Sequence, residues 1–414
     1  MTSSNEREPR ASRRNILAGA GGLLALAGAR SAAAEPAHAP SVAFWGPRQA
    51  GIVTPQQSHT YFMAFDLIAS KPAEVADLLR VWTQAASRLT AGQPAEPFAA
   101  ALDTPGTDSA DGLGLPPARL TITFGFGAGL FVKDGVDRYG LAAHRPEALI
   151  DLPRFNGDQL LPEATGGDLS VQACSDDPQV AFHAVRQLAT RAYGIADVRW
   201  AQSGFVSKPA DGSTPRNLMG FKDGTQRPVA IEKVVWVADE GPAWMRGGSY
   251  LVARRIRLAL EHWDRTNVGF QEQTMGRHKY SGAPLGLKHE MDPLRLDRND
   301  ADGNPVIPEG AHVRLANSAT TGVEILRRGY SYNDGVNFTA ERWPPWRQGM
   351  EYDAGLFFLG YQRDPRTGFV RIFENMAKFD MLNQFATHVG GGLFACPPGA
   401  RAGEFIGQRL FDAA

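Results

Sequence analysis

The 414-residue sequence contains only two cysteines, Cys174 and Cys396, which lie far apart and form no C-x-x-C spacing. Its nine histidines form no H-x-x-H or H-E-x-x-H pattern. These absences argue against a zinc knuckle, a dithiol redox motif and a zinc hydrolase site. The sequence leaves open whether the two cysteines pair in an oxidising compartment.

The chain also lacks a net charge of either sign, since 43 Lys and Arg stand against 44 Asp and Glu. A formal charge of -1 gives no general attraction to nucleic acid or to an anionic membrane, so neither is expected as a partner. With 43% hydrophobic and 21% charged residues, the composition is that of a globular protein. The length fits two ordinary domains or one large domain.

The apolar run at 16–29 is too short to span a bilayer, which takes about 20 residues. It follows Arg13-Arg14 and precedes the alanines at 32–34. These three parts resemble a twin-arginine export signal, and the alternative is a disordered basic tail. We therefore predict a signal peptide over 1–34 and an extended lead-in over 35–55. The mature protein would have no membrane span and would be periplasmic or secreted.

Hydrophobic patterns recur in the same order in both halves of the chain. The first half predicts strands at 60–69, 120–130, 168–174 and 198–204, with helices from Pro72 and over 177–192. The second half predicts strands at 248–257, 354–362 and 392–396, with helices at 258–266 and 373–385. This order predicts an α+β duplication, in which 56–230 and 231–414 each form an antiparallel sheet covered by helices.

The segment 312–335 places a histidine close in sequence to two arginines. His312 lies in a short apolar run, and a β-rich segment at 323–326 leads to Arg327 and Arg328. A neutral imidazole near two cations suggests that an anion or a metal lies between them. The alternative is a buried structural histidine followed by a pair of surface arginines.

A carboxylate occurs in the segment 217–225, which reads NLMGFKDGT. Asp223 lies between Lys222 and Gly224, on a tight loop where the backbone can approach a flat ligand closely. Taken alone, Asp-Gly is usually only a turn.

Together these motifs resemble those of the dye-decolourising peroxidases. They are Gly-x-x-Asp-Gly at 220–224, His312 in His-x-Arg-x-Ala-Asn, and Arg327 in Arg-Arg-Gly-Tyr-Ser-Tyr. Segments 49–52, 275–285 and 389–392 agree with the same family, so the resemblance covers nearly the whole mature chain. The export signal fits the exported branch, which includes the deferrochelatase-like proteins.

The resemblance implies two ferredoxin-like domains, with haem b held mainly by the C-terminal one. His312 would be the proximal iron ligand, and Asp380 would accept a hydrogen bond from its second ring nitrogen. The alternative for Asp380 is a polar position on an exposed helix face. Asp223 and Arg327 would be the catalytic pair, in which the carboxylate moves a proton of peroxide and the guanidinium stabilises developing charge.

The resemblance also implies which residues contact the haem edge. Gly224, Thr225 and Gln226 match the loop at that edge, and Asn317, Ser318 and Ala319 match the turn after the proximal histidine. Relatives commonly carry Pro-Arg where Ser318-Ala319 stands, so a haem carboxylate contact is expected to be missing or replaced by Arg277 or Arg314. Trp343 and Trp346, in a loop at 339–349, are expected to pin that loop or to relay electrons.

The function implied is a haem b peroxidase that reduces hydrogen peroxide and oxidises aromatic or dye-like donors. One alternative is a deferrochelatase that releases iron from haem with the porphyrin intact, in periplasmic iron uptake. A haem-delivery protein without turnover is disfavoured by the presence of both Asp223 and Arg327. The sequence leaves open the physiological donor, a homodimer, and partners in iron uptake.

Overall fold

The computed structural model describes residues 41–99, 103–225, 228, 230–340 and 348–413. The predicted signal peptide, Gln226, Trp343 and Trp346 lie outside these residues. Within the described ranges, no helix has the length and apolarity needed to cross a membrane.

The first half of the chain forms one antiparallel sheet with two long helices. Its elements are β1 (His59–Leu67), α1 (Pro72–Thr90), β2 (Thr121–Phe126), β3 (Leu169–Ser175), α2 (Pro178–Arg191) and β4 (Ala196–Phe205). The strand order is β4-β1-β3-β2. This β-α-β-β-α-β sequence with interleaved strands is the ferredoxin-like arrangement.

The two long helices begin where local side chains cap them. Pro72 opens α1, and Glu74 accepts from the main-chain N–H groups of Ser70 and Lys71, both at 3.0 Å. Asp177 caps α2 by accepting from Gln179 N at 2.8 Å.

The second half repeats this plan with shorter helices on its sheet. Its strands are β5 (Ser249–Leu258), β6 (Leu326–Arg327), β7 (Tyr330–Ala340), β8 (Gln348–Gln362) and β9 (Ala386–Cys396). Its helices are α3 (Ile231–Val235), α4 (Leu260–Trp263), α5 (Val268–Met275), α6 (His312–Ala316), α7 (Ser318–Thr321), α8 (Phe369–Phe379) and α9 (Gln408–Phe411). The order β9-β5-β8-β7 reproduces the order of the first sheet, with β6 as an additional partner of β8.

Short edge contacts join the two sheets into a closed barrel. β2 pairs with β9 at Phe126 and Ala395, and β4 pairs with β7 at Phe205 and Ser331. Side chains that point into this ring form an aromatic core, in which the rings of Phe62 and Trp200 stack at 4.9 Å. The predicted α+β fold of two ferredoxin-like units is confirmed, while the boundaries 56–230 and 231–414 stay a prediction.

Several predicted elements differ from the structure. The helix expected over 258–266 is only the four-residue α4, followed by α5. The helix expected over 373–385 ends at Phe379, and the closing strand starts at 386 instead of 392. The β-rich segment at 323–326 contributes only Leu326 to β6. Cys174 and Cys396 are both free and buried, so they form no disulfide here.

Candidate active site

His312 is the first residue of α6, and a buried carboxylate fixes the orientation of its ring. Its Nδ1 lies 2.7 Å from Oδ2 of Asp380, whose side chain is 2% exposed. The other carboxylate oxygen of Asp380 accepts from Leu382 N at 2.8 Å and so caps the short helix over 381–384. Asp380 is therefore buried rather than on an exposed helix face. The proton on Nδ1 leaves Nε2 with a lone pair, and no residue in the described part of the chain binds that nitrogen.

Two opposing effects act on the pKa of His312. Burial disfavours the charged imidazolium, but the charge of Asp380 and its hydrogen bond outweigh that effect. The pKa of His312 is therefore raised from its ordinary value. Asp380 thus makes the imidazole more basic, and a more basic imidazole is a better ligand for a metal.

Asp223 and Arg327 form an ion pair between their side chains. Asp223 lies in the connection between the two sheets, and Arg327 lies on β6, where it pairs with Gly360 of β8. The Arg327 side chain is 36% exposed, yet burial lowers its pKa. The ion pair is therefore partly accessible and partly surrounded by protein atoms.

The neighbouring Arg328 points the other way, into the barrel. It is 4% exposed and donates to Thr54 O at 2.5 Å and to Oε1 of Gln57. Successive side chains on a strand face opposite sides of the sheet, which separates the two arginines. The expectation of a cationic pair beside the histidine is therefore wrong for Arg328.

The other residues predicted to meet the cofactor occupy two turns. Gly224 has φ +107 and open space where a Cβ would stand, and the Thr225 hydroxyl donates to Oε1 of Glu290 at 3.1 Å. Asn317 caps α7, where its side chain accepts from Ala319 N at 2.8 Å, and Ser318 and Ala319 are exposed. Contact of these residues with a cofactor stays a prediction.

Arg277 and Arg314 both bind main-chain carbonyl groups. Arg277 donates to Gly282 O at 2.7 Å, and Arg314 donates to Ile307 O at 2.7 Å. Both guanidinium groups therefore stabilise their local loops, and a contact of either with a haem carboxylate stays a prediction.

Apolar residues link the two pairs of site residues. Met219 and Phe221, on the Asp223 loop, pack with Leu382 and Phe385, which follow Asp380. This apolar cluster thus packs the loop that carries Asp223 against the segment that follows Asp380.

The helix-facing side of the second sheet retains accessible apolar surface. The ring of Phe358 on β8 lies 5.6 Å from that of Phe369 in α8, and the ring of His388 on β9 lies 4.4 Å from that of Phe373. Phe358, Leu356 and His388 are nevertheless only half-buried, whereas every position of β2 and β3 is buried. The helix that begins at His312, α6, packs against the same α8. A flat apolar group with an iron for Nε2, such as haem, fits these residues.

The described residues thus form a duplicated α+β barrel that carries two side-chain pairs, His312 with Asp380 and Asp223 with Arg327. Residues 49–206 match the family described as Dyp-type peroxidase, N-terminal, and residues 214–401 match Dyp-type peroxidase, C-terminal. The chain therefore belongs to the Dyp-type peroxidase family and is a haem-dependent peroxidase.

Individual relatives support this assignment along most of the chain. A dye-decolorizing peroxidase of Thermobifida fusca (strain YX) is 39% identical over 88% of this chain and 84% of its own. A deferrochelatase of Yersinia pestis bv. Antiqua (strain Nepal516) is 37% identical over 97% of this chain and 95% of its own. The oxyferrous complex of DtpA from Streptomyces lividans has a TM-score of 0.80 and 39% identity, over 90% of this chain and 98% of that one.

Sequence reasoning missed Glu290, which binds both Lys222 and Thr225 beside Asp223. Glu290 lies between His289 and Met291 in a polar turn, a context without any catalytic pattern. The contact spans 68 residues to Lys222 and 65 to Thr225, so only the tertiary structure could reveal it.

The contact between His312 and Asp380 leads to a prediction for the haem-free protein. Asp380→Asn keeps a side chain of the same shape but removes the charge, so burial should then lower the pKa of His312 below its ordinary value. We therefore expect the pKa of His312 to fall in this variant. NMR titration of the imidazole would measure it, with Asp364→Asn as a control distant in sequence. An unchanged pKa would show that Asp380 does not control the imidazole.

Proposed function

We propose that this chain is a haem b peroxidase in which His312 binds the iron, Asp223 moves the proton and Arg327 stabilises charge. The single observation that carries the proposal is the pair of contacts in one fold, Asp380 with His312 and Asp223 with Arg327. The first contact prepares an imidazole nitrogen for a metal, and the second places a proton acceptor beside a fixed cation.

Haem, when bound, supplies the iron at which hydrogen peroxide is reduced and the oxidising equivalents for aromatic or dye-like donors. Asp223 would accept the proton from one peroxide oxygen and return it to the other. Arg327 would donate hydrogen bonds to the oxygen on which negative charge develops as the O–O bond breaks. The two side chains bind each other, which satisfies both charges.

Gly224, Thr225, Gln226, Asn317, Ser318 and Ala319 are proposed to border the cofactor. The open space at Gly224 supports this, because a backbone without Cβ lets a flat group approach closely. The second unit, proposed as 231–414, would hold most of the haem, since it contains His312, Arg327 and Asp380.

Three substitutions separate holding haem from using it. His312→Ala should give protein with little haem, because it removes the proposed bond to iron. Arg327→Leu should keep haem and slow the reaction with peroxide by about 100- to 1000-fold. Asp223→Asn should also keep haem and slow it by about 100- to 10,000-fold. Stopped-flow absorbance after mixing with peroxide measures the rate, and haem content is measured separately.

Asp211→Asn is a suitable control for these variants, since Asp211 is an exposed carboxylate on the same connection. It should react at the wild-type rate. Wild-type rates for both Asp223→Asn and Arg327→Leu would refute the proposed pair.

A second candidate function is deferrochelatase activity, in which iron leaves haem and the porphyrin remains intact. The observation that favours it is the relative of that name, which matches 97% of this chain. Incubation with haem and a reductant, or with peroxide and a dye, followed by product analysis, distinguishes the two. Oxidised dye with intact haem supports the peroxidase, and iron-free porphyrin supports the deferrochelatase. In the second case iron-uptake proteins would be the partners, and a homodimer is compatible with either function.

We also propose that the protein is exported by the twin-arginine route to the periplasm or the medium. The arginine pair before the apolar run at 16–29 supports this. Replacing Arg13 and Arg14 together by lysine should keep the protein in the cytoplasm, as measured by fractionation of cells. Arg10→Lys is the matched control and should be exported. Normal export of the double variant would contradict the proposed route.

A further inference from the structure

The segment 214–225, here called the Asp223 loop, is held in shape by contacts within itself. Asp223 N donates to Pro215 O at 2.8 Å, and Asn217 N donates to Phe221 O at 2.9 Å. The side chain of Asn217 accepts from Met219 N and Phe221 N, both at 3.1 Å. These bonds define the turn up to Asp223, but they do not attach it to the rest of the protein.

Met219 and Phe221 pack into an apolar cluster, and Nε1 of Trp263 donates to Met219 O at 3.0 Å. A second segment, 276–290, lies against the Asp223 loop and adds polar attachments nearer to Asp223. The guanidinium of Arg216 donates to Lys279 O and Tyr280 O, both at 2.7 Å. Arg277, which is 9% exposed, donates to Gly282 O at 2.7 Å and to Glu290 O at 3.1 Å. The main chain of Glu290 is therefore fixed by a buried cation of its own segment.

The side chain of Glu290 binds the Asp223 loop on both sides of Asp223. Its Oε2 accepts from Nζ of Lys222 at 2.5 Å, and its Oε1 accepts from the hydroxyl of Thr225 at 3.1 Å. The carboxylate is only 13% exposed. Burial would raise the pKa of Glu290, but hydrogen bonds from Lys222, Thr214 and Thr225 and the charge of Lys222 lower it. Glu290 is thus a charged, nearly buried anchor rather than a surface carboxylate.

Asp223 is held through its N–H by Pro215 O and through its side chain by Arg327, whereas no main-chain hydrogen bond of Gly224 occurs among the described residues. Gly224 has φ +107, and among the described residues no atom lies within 4 Å of the position that a Cβ would take. A glycine in open space can pivot, and such a pivot next to Asp223 would move the carboxylate. The bonds of Glu290 to Lys222 and Thr225 fix the chain immediately before and after this pivot.

We propose that Glu290 is a positioning residue for Asp223, because its two carboxylate oxygens hold the residues that flank it. The inference rests on the proposed function, in which Asp223 moves the proton of peroxide. Proton transfer needs a heavy-atom distance of about 2.6–3.2 Å, and a displacement of about 1 Å can slow a reaction by about 100-fold. Glu290 touches neither Arg327 nor any other proposed catalytic group, so its effect would pass through the loop alone.

The test compares Glu290→Ala, Asp223→Asn and the double variant as haem-loaded full-length proteins. Glu290→Ala should retain haem and react with hydrogen peroxide about 10- to 100-fold more slowly than the wild type. Glu290→Gln keeps one acceptor oxygen for Lys222 and places an amide NH2, which can donate to the Thr225 hydroxyl, at the other position, so it should recover part of that loss. The double variant should react within about twofold of the rate of Asp223→Asn. The asparagine of Asp223→Asn cannot accept the proton, so moving it by removal of Glu290 should cost no further rate.

Glu272→Ala provides a matched control. Glu272 has an 18% exposed carboxylate close to the same segment, and it accepts from Nδ1 of His278 and from Lys279 N, both at 2.8 Å. It makes no bond to residues 222–225, so its removal should change the peroxide rate by less than about twofold.

A second readout does not depend on bound haem. Hydrogen exchange of peptides that span 214–225 in the haem-free protein should be at least about tenfold faster in Glu290→Ala than in Glu272→Ala. A wild-type peroxide rate for Glu290→Ala overturns the inference, and so does a double variant slowed by the product of the two single effects. If Asp223→Asn itself reacts at the wild-type rate, the proposed role of Asp223 fails, and the inference about Glu290 fails with it. If Asp223→Asn is slow but Glu290→Ala reacts with peroxide at the wild-type rate, the inference about Glu290 fails and the proposed function stands.

Discussion

The pairing of two sheets at their edges is the constraint on which the rest of the structure depends. An antiparallel sheet of four strands has two unpaired edges, and these are liabilities in water. Here the edges pair through Phe126 with Ala395 and Phe205 with Ser331, which closes the strands around an aromatic core. Each sheet then has one outer face that helices must cover. Two long helices cover the first face, whereas the shorter helices of the second leave Leu356 and Phe358 half-buried, with the ring of Phe358 beside Phe369 of α8.

The closed barrel also gives the adjacent Arg327 and Arg328 different environments. Successive side chains of an extended chain point to opposite sides, so Arg327 faces Asp223 on the outside and Arg328 faces the interior of the barrel. A buried guanidinium is costly unless it is paired, and Arg328 is held by Thr54 O and the side chain of Gln57. Gln57 in turn donates to Arg119 O and to the hydroxyl of Thr121. The residues before β1 are thus part of the barrel, and they anchor the strand that carries Arg327.

The sequence predicted those features that depend on local pattern. Most strands and the two long helices follow from periodicity, and His312, Asp223, Arg327 and Asp380 occur in short motifs. The inward direction of Arg328 depends on strand register, which no local pattern specifies. The end of α8 was missed because the apolar pattern continues through Met381 and Leu382, while the Asp380 side chain caps a new short helix there. Glu290 was missed because its partners lie more than 60 residues earlier in the chain.

The contact between His312 and Asp380 bears on which of two related activities the fold favours. A hydrogen bond of 2.7 Å to a buried carboxylate is charge-assisted, and it makes the imidazole a stronger donor to a metal. A strong donor helps cleavage of an O–O bond, because electron density on the metal weakens that bond. Release of iron makes the opposite demand, since the imidazole must then give up the metal. Under the proposed function, in which His312 binds the iron, the contact with the buried Asp380 would therefore favour peroxide reduction over removal of iron from haem.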